Sequence, residues 1–220
     1  HLSIRRQRQM CIRDRNWLGL NFRSQQGIIR SAHSLILGIP AVSMLAPASA
    51  ANEECIPVEV HELTASTFMR LFSTRYAAGD TILILAANPD DYRLSEPFVN
   101  VVVEQDKLEN PNNRRVRVRA AQRSKGLEAD TVIVLGDFVA ATSTWAKNQI
   151  FRAARTIDTD DQSPFDVISQ NELYKLANIS ICRARSRAAW LIAKDPGDGV
   201  HRLKASSRIG NVQGSFIDYR

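Results

Sequence analysis

Three short segments carry residue types and spacings that could do chemistry. Asn21-Phe22-Arg23-Ser24 stands just ahead of a stretch in which Ile28, Ile29, Ala32, Leu35 and Ile36 share one helical face. A helix N-terminus with an arginine and an aromatic can hold a phosphate and stack on a base. Ser124-Lys125-Gly126-Leu127-Glu128-Ala129-Asp130 stands immediately before the apolar run 131–135. There Gly126 allows a tight turn beside Lys125, and the Glu128 carboxylate can accept a hydrogen bond from a sugar hydroxyl. Cys182-Arg183-Ala184-Arg185-Ser186-Arg187 ends a helical stretch and enters the last apolar run. Each segment also has a plain reading. Ser24 can be an N-cap beside a surface arginine, and arginines at a helix C-terminus are often dipole partners only.

Other chemistry is missing. The sequence has no G-x-x-x-x-G-K-[ST], no G-x-G-x-x-G, no nucleophile elbow and no H-E-x-x-H. His33, His61 and His201 are scattered, so no metal site is expected. Asp158, Asp160 and Asp161 lack the glycine and terminal glutamate of a calcium loop and read as a solvated patch. Asp137, which follows the run 132–135, imitates the acidic strand end of a nucleotide hydrolase, but no phosphate loop accompanies it. Alone, the chain is not expected to turn over ATP.

The elements that must position these segments alternate along the chain. Helices are expected over 25–37, 66–77 and 172–181, and strands over 58–63, 81–87, 116–119, 131–135 and 188–193, with 99–103 as a further strand candidate. Apolar runs such as Thr-Ile-Leu-Ile-Leu-Ala-Ala, without alternation and spaced by helices, indicate strands covered on both faces of a parallel sheet. The fold class is therefore doubly wound α/β. Residues 35–51 imitate a signal peptide, and an exported α/β domain is one alternative. The stretch is short for a membrane span and broken by Pro40 and Pro47, so a buried helix end and connector is the expectation, with no membrane partner. Residues 139–165 read as a polar connector, and 195–220 as a frayed C-terminal extension.

The net charge of +6 suggests a polyanion partner until its distribution is examined. Residues 1–15 hold five arginines against one aspartate, a net of +4, which leaves 24 basic and 22 acidic residues beyond them. Gln9-Met10-Cys11-Ile12-Arg13-Asp14-Arg15 matches a translated sequencing adapter, so residues 1–15 are expected to be foreign to the fold. Discounting Cys11, the separated Cys55 and Cys182 suit a reducing, cytoplasmic setting.

In order and spacing, the three segments resemble motifs IV, V and VI of the second RecA-like domain of superfamily 1 DNA helicases. The form Ser-Lys-Gly-x-Glu-Ala-Asp-x-Val-Ile-Val is most similar to the helicase IV branch of the UvrD/Rep group, and the resemblance covers residues 16–194. It implies a RecA-like fold of the P-loop NTPase type without a phosphate loop of its own. ATP would lie between this domain and an N-terminal RecA-like domain that carries the Mg2+ ligands and belongs upstream of residue 16. Phe22 would stack on adenine, and Arg23 and Arg183 would approach the γ-phosphate as arginine fingers. Lys125 and Gly126 would couple nucleotide to DNA, Glu128 would bind the ribose, and Gln122 and Ser124 would lie along single-stranded DNA. The parent would translocate on single-stranded DNA and unwind duplex, with 3'-5' polarity. Two features depart from the family pattern. Ala120-Ala121-Gln122 stands where Thr-x-His is common, and Cys182 stands where Thr or Ser precedes the finger. The stretch 178–185 is also similar to motif VI of Upf-type RNA/DNA helicases, and a non-catalytic RecA-like module that binds nucleic acid or a partner stays open as well.

Overall fold

Five parallel strands form the centre of the protein, and each helix is placed by the apolar face it lays on them. The computed structural model describes residues 20–21, 24–36, 39, 46–47, 58–87, 89–138, 149–150, 153, 164–193 and 205–210. Strand β1 (Leu20–Asn21) pairs in parallel with β2 (Ala46–Pro47), and helix α1 (Gln26–Ile36) lies between them in sequence. Then come β3 (Glu59–Glu62), α2 (Ala65–Ala77), β4 (Ile82–Ala86), α3 (Pro89–Glu109) and β5 (Val116–Ala120). After a 3-10 turn (Ala121–Arg123) follow β6 (Ala129–Leu135), α4 (Pro164–Ile181), β7 (Ala184–Ile192) and the short α5 (Ser207–Gly210).

The main sheet has the order β3-β7-β6-β4-β5, and every pairing is parallel. Alternate residues of the central strands feed two cores. Leu83, Leu85, Val132 and Val134 pack beneath α1 and α4. Ile82, Ile84, Ile133 and Leu135 pack beneath α2 and α3 with Phe68, Phe72 and Val102. This two-sided burial is why residues 82–86 and 131–135 read as unbroken apolar runs. The α/β class expected from the sequence is the one observed. Thr64 opens α2 as an N-cap, its Oγ1 accepting from the Thr67 N–H at 3.1 Å.

One element differs in kind. Residues 99–103, a strand candidate by their valines, lie inside α3. Val99 and Val102 are buried on the sheet while Val101 is 57% exposed, a three-residue spacing that only a helix produces. β-branched content is a weak preference, and burial of Val99 and Val102 overrides it. The last helix also begins earlier than expected, at Pro164, and the last strand begins at Ala184.

Within residues 195–220, the part from 205 to 210 is docked, not frayed. Ala205 N–H donates to Phe138 O at 3.2 Å, and Arg208 donates to Leu35 O at 2.9 Å while its guanidinium lies 3.9 Å from the centre of the Tyr174 ring. Asp158, Asp160 and Asp161 and most of the connector lie outside the described residues. No described helix is long and apolar enough to cross a membrane.

Candidate functional site

Positions near the starts of β6 and β7 hold Lys125, Gly126, Glu128 and Arg183 among the candidate residues. Arg183 occupies the two-residue turn between α4 and β7, and its backbone is held from two sides. Ala129 N–H, at the start of β6, donates to Arg183 O at 3.1 Å. Ser24 Oγ donates to Ala184 O at 2.7 Å and Gln25 N–H to Arg185 O at 3.0 Å, so the lead-in to α1 is pinned to the same turn. Asn178 Nδ2 donates to Ala32 O at 2.7 Å and fixes α4 against α1 behind it. Segments more than 150 residues apart in sequence, Ser24 and Ala184 among them, thus meet at one edge of the sheet. Phe22 and Arg23, expected to bind adenine and phosphate, lie outside the described residues.

The link from β5 to β6 is unusually short. Only residues 121–128 separate two parallel strands that flank β4, whereas such crossovers ordinarily need a dozen residues or more. The path is closed by two tight turns. Ser124 is fully buried and its hydroxyl donates to Ala121 O at 2.7 Å, so this side chain, expected along DNA, braces the turn. Leu127 N–H donates to Ser124 O at 3.0 Å, with Lys125 and Gly126 between them. Gly126 has φ 83°, the left-handed value that the third position of such a turn requires of glycine. Lys125 and Gln122 are both exposed.

Glu128 is engaged within the protein, where its carboxylate accepts from Arg185. The register between β6 and β7 explains how Arg185 reaches it. Ala129 pairs with Ala184 and Thr131 with Arg187, so β7 holds one residue more and bulges opposite Asp130. Sequence reasoning named Arg183 and passed over Arg185. The signal lay in the same Arg-x-Arg-x-Arg run, but only the bulge shows which arginine turns to the acids.

Asp130 lies beside this pair. Its carboxylate accepts from Thr81 Oγ1 at 2.7 Å and Thr81 N–H at 3.0 Å, with Arg185 at 3.8 Å. The hydroxyl, then the backbone N–H, and then the nearby guanidinium hold its pKa below the ordinary carboxylate value. A depressed folded-state pKa gives stability that is complete above the unfolded value, about 3.9, and drains as pH falls through the folded one. Acid titration of the melting temperature should therefore slope downward below about pH 4. Asp130→Asn should flatten that slope, and an identical profile in the variant would remove Asp130 as the cause.

The opposite, C-terminal ends of β4 and β6 form the switch point where open α/β sheets ordinarily bind ligands. Asp137 stands there, only 2% exposed. It accepts from Phe138 N–H at 2.7 Å and Ser206 N–H at 3.2 Å, and also from the Ser206 hydroxyl. The acid that imitates a hydrolase strand end is a clamp for the C-terminal segment.

No protein-family model and no curated protein matches the sequence. Among solved structures, the chain is similar to the C-terminal domain of a possible DNA helicase from Lactobacillus plantarum WCFS1. The identity is 16%, over 80% of this chain and 91% of that one, with a TM-score of 0.42.

Proposed function

We propose that this chain is the C-terminal motor domain of an ATP-dependent DNA helicase, one that supplies cationic residues to a nucleotide held by a preceding RecA-like domain. One observation carries the reading. The lead-in to α1, the entry to β6 and the Arg183 turn are hydrogen-bonded together at one edge of the sheet. Such an edge suits a domain that completes another domain's site. A nucleotide bound across it would meet cations fixed by backbone contacts from several elements, the kind of preorganised charge that phosphoryl transfer requires. Arg23 and Arg183 are assigned to the γ-phosphate, Phe22 to the base and Lys125 to coupling with the strand. Glu128 would reach the ribose by exchanging its Arg185 partner. ATP and Mg2+ are the cofactors of this reading, with the ion held by the preceding domain. Closing and opening of the cleft on hydrolysis would step the pair of domains along single-stranded DNA.

The test is to join residues 16–220 to the half encoded upstream in the source DNA and to measure ATP hydrolysis with and without single-stranded DNA. Stimulation by DNA that disappears when residues 16–194 are deleted is the expected result. Hydrolysis by the upstream half that is indifferent to this domain would overturn the reading.

A further inference from the structure

The outer strand of the sheet carries a second charged feature, separate from the arginine-bearing turn. Residues 114–127 contain six basic side chains and no acidic one. Arg115 is used internally, its guanidinium 4.3 Å from the centre of the Tyr76 ring and 3.2 Å from Asp80 O. The other five, Arg114, Arg117, Arg119, Arg123 and Lys125, are exposed. None forms an ion pair with a described carboxylate, and Arg119 donates only to the adjacent Val118 O at 2.8 Å.

Their arrangement follows from the strand. Among the described residues β5 is the sheet's edge, paired on one side to β4 alone. Val116 and Val118 turn to the core beneath α3, so Arg117 and Arg119 fall on the other face, about 7 Å apart along the strand. After β5 the chain returns from the C-terminal end of that strand to the N-terminal end of β6, and Arg123 and Lys125 are exposed on this return. An edge strand benefits from one or two charges that discourage pairing with another chain, and Arg117 with Arg119 would suffice for that. Discouraging pairing does not require one sign from residue 114 to residue 125.

We infer that this strip is a binding site for the phosphodiester backbone of a nucleic acid. A protein partner would need apolar anchors at the centre of the contact, whereas Val116 and Ala121 are buried and Val118 and Leu127 are packed against the two cores. Cations without base-reading side chains recognise phosphates independently of sequence and with strong salt dependence. Leading away from Lys125, which the motor reading already assigns to the strand, Arg114, Arg117, Arg119 and Arg123 extend the contact beyond the nucleotide-facing edge, and the strip rests on that reading in the choice of DNA and in the role of Lys125.

The experiment is fluorescence anisotropy of a labelled dT20 and a labelled 20-base-pair duplex with the full chain, without ATP, across a potassium chloride series. Arg117→Gln/Arg119→Gln is compared with Arg70→Gln/Arg75→Gln, which removes equal charge from α2. The strip variant should bind roughly tenfold more weakly at low salt, with its log–log salt slope reduced by about 1.4 for the single strand or about 1.8 for the duplex. The form that shows the larger loss identifies the bound species. Unchanged binding, or an equal loss in the α2 variant, would overturn the site. So would displacement by poly-glutamate as effective as that by unlabelled oligonucleotide, which would point to an acidic protein instead. Arg183 is intact in both variants and no nucleotide is present, so failure here and failure of the motor reading are distinct results.

Discussion

Arg183→Ala, made in a protein that joins this domain to the preceding RecA-like domain proposed above, should lower kcat for the proposed DNA-stimulated ATP hydrolysis by about a thousandfold. An arginine finger acts on charge that develops in the transition state, and related phosphoryl-transfer enzymes lose ~10³–10⁵ without it. The loss should appear in kcat with little change in KM, because an interaction made only in the transition state does not tighten the ground-state complex. The fold should be largely preserved. Backbone contacts that hold this turn, from Ala129 N–H to Arg183 O and from Ser24 Oγ to Ala184 O, are kept by alanine. Arg183→Lys separates charge from geometry, because lysine keeps the positive charge but lacks the planar fork. It should recover only a small part of the lost turnover. A fall in melting temperature that parallels the fall in kcat would make Arg183 a structural residue. Unchanged kcat would end its assignment as a finger.

The sequence made the sheet legible because its central strands are buried on both faces. Residues 82–86 and 132–135 are apolar at every position for that reason, and no helix face is. The lead-in to α1, the glycine turn and the Arg183 turn could be singled out because their polar and glycine residues interrupt apolar periodicity. Their meeting at one edge could not be derived from periodicity, since it depends on hydrogen bonds between segments far apart in the chain. The valines of 99–103 misled because a helix buried on one side and a strand can share composition over five residues. Only the exposure of Val101 between buried Val99 and Val102 distinguishes them. The Glu128–Arg185 pair was hidden by a bulge, which changes which side chain faces the edge without any mark in the local sequence. The basic strip is different. The near-balance of residues 16–220 conceals it, and its significance needs the knowledge that β5 is an edge and that five of its cations form no ion pair with a described carboxylate.

The largest stability effect should come from Asp106, a residue with no signal in the sequence. It is 1% exposed near the end of α3, and its carboxylate collects donors from three places. Tyr76 OH donates at 3.0 Å, Asn110 Nδ2 at 3.0 Å, Arg115 N–H at 3.1 Å and Val116 N–H at 3.0 Å. The carboxylate thereby ties α2, the end of α3 and the start of β5 together. Burial foremost, then hydrogen bonding to Glu109 and Asp106, raises the Tyr76 hydroxyl pKa well above its usual value, so the hydroxyl stays a donor. Asp106→Ala leaves the Arg115 and Val116 N–H groups without this acceptor, each costing about 1–3 kcal/mol, and takes from the Tyr76 hydroxyl one of its two acidic partners. The total should be about 3–5 kcal/mol, which for a domain of this size lowers Tm on the order of 10 °C. Tyr76→Phe removes one donor and leaves the carboxylate its other bonds, so about 1 kcal/mol is expected. Combining the two should cost clearly less than their sum, since the alanine variant has already lost the shared bond. If the two losses simply add, Asp106 and Tyr76 are independent. If Asp106→Ala melts like the wild type, α3 and β5 are held by apolar packing alone, and the strip on β5 does not depend on this anchor.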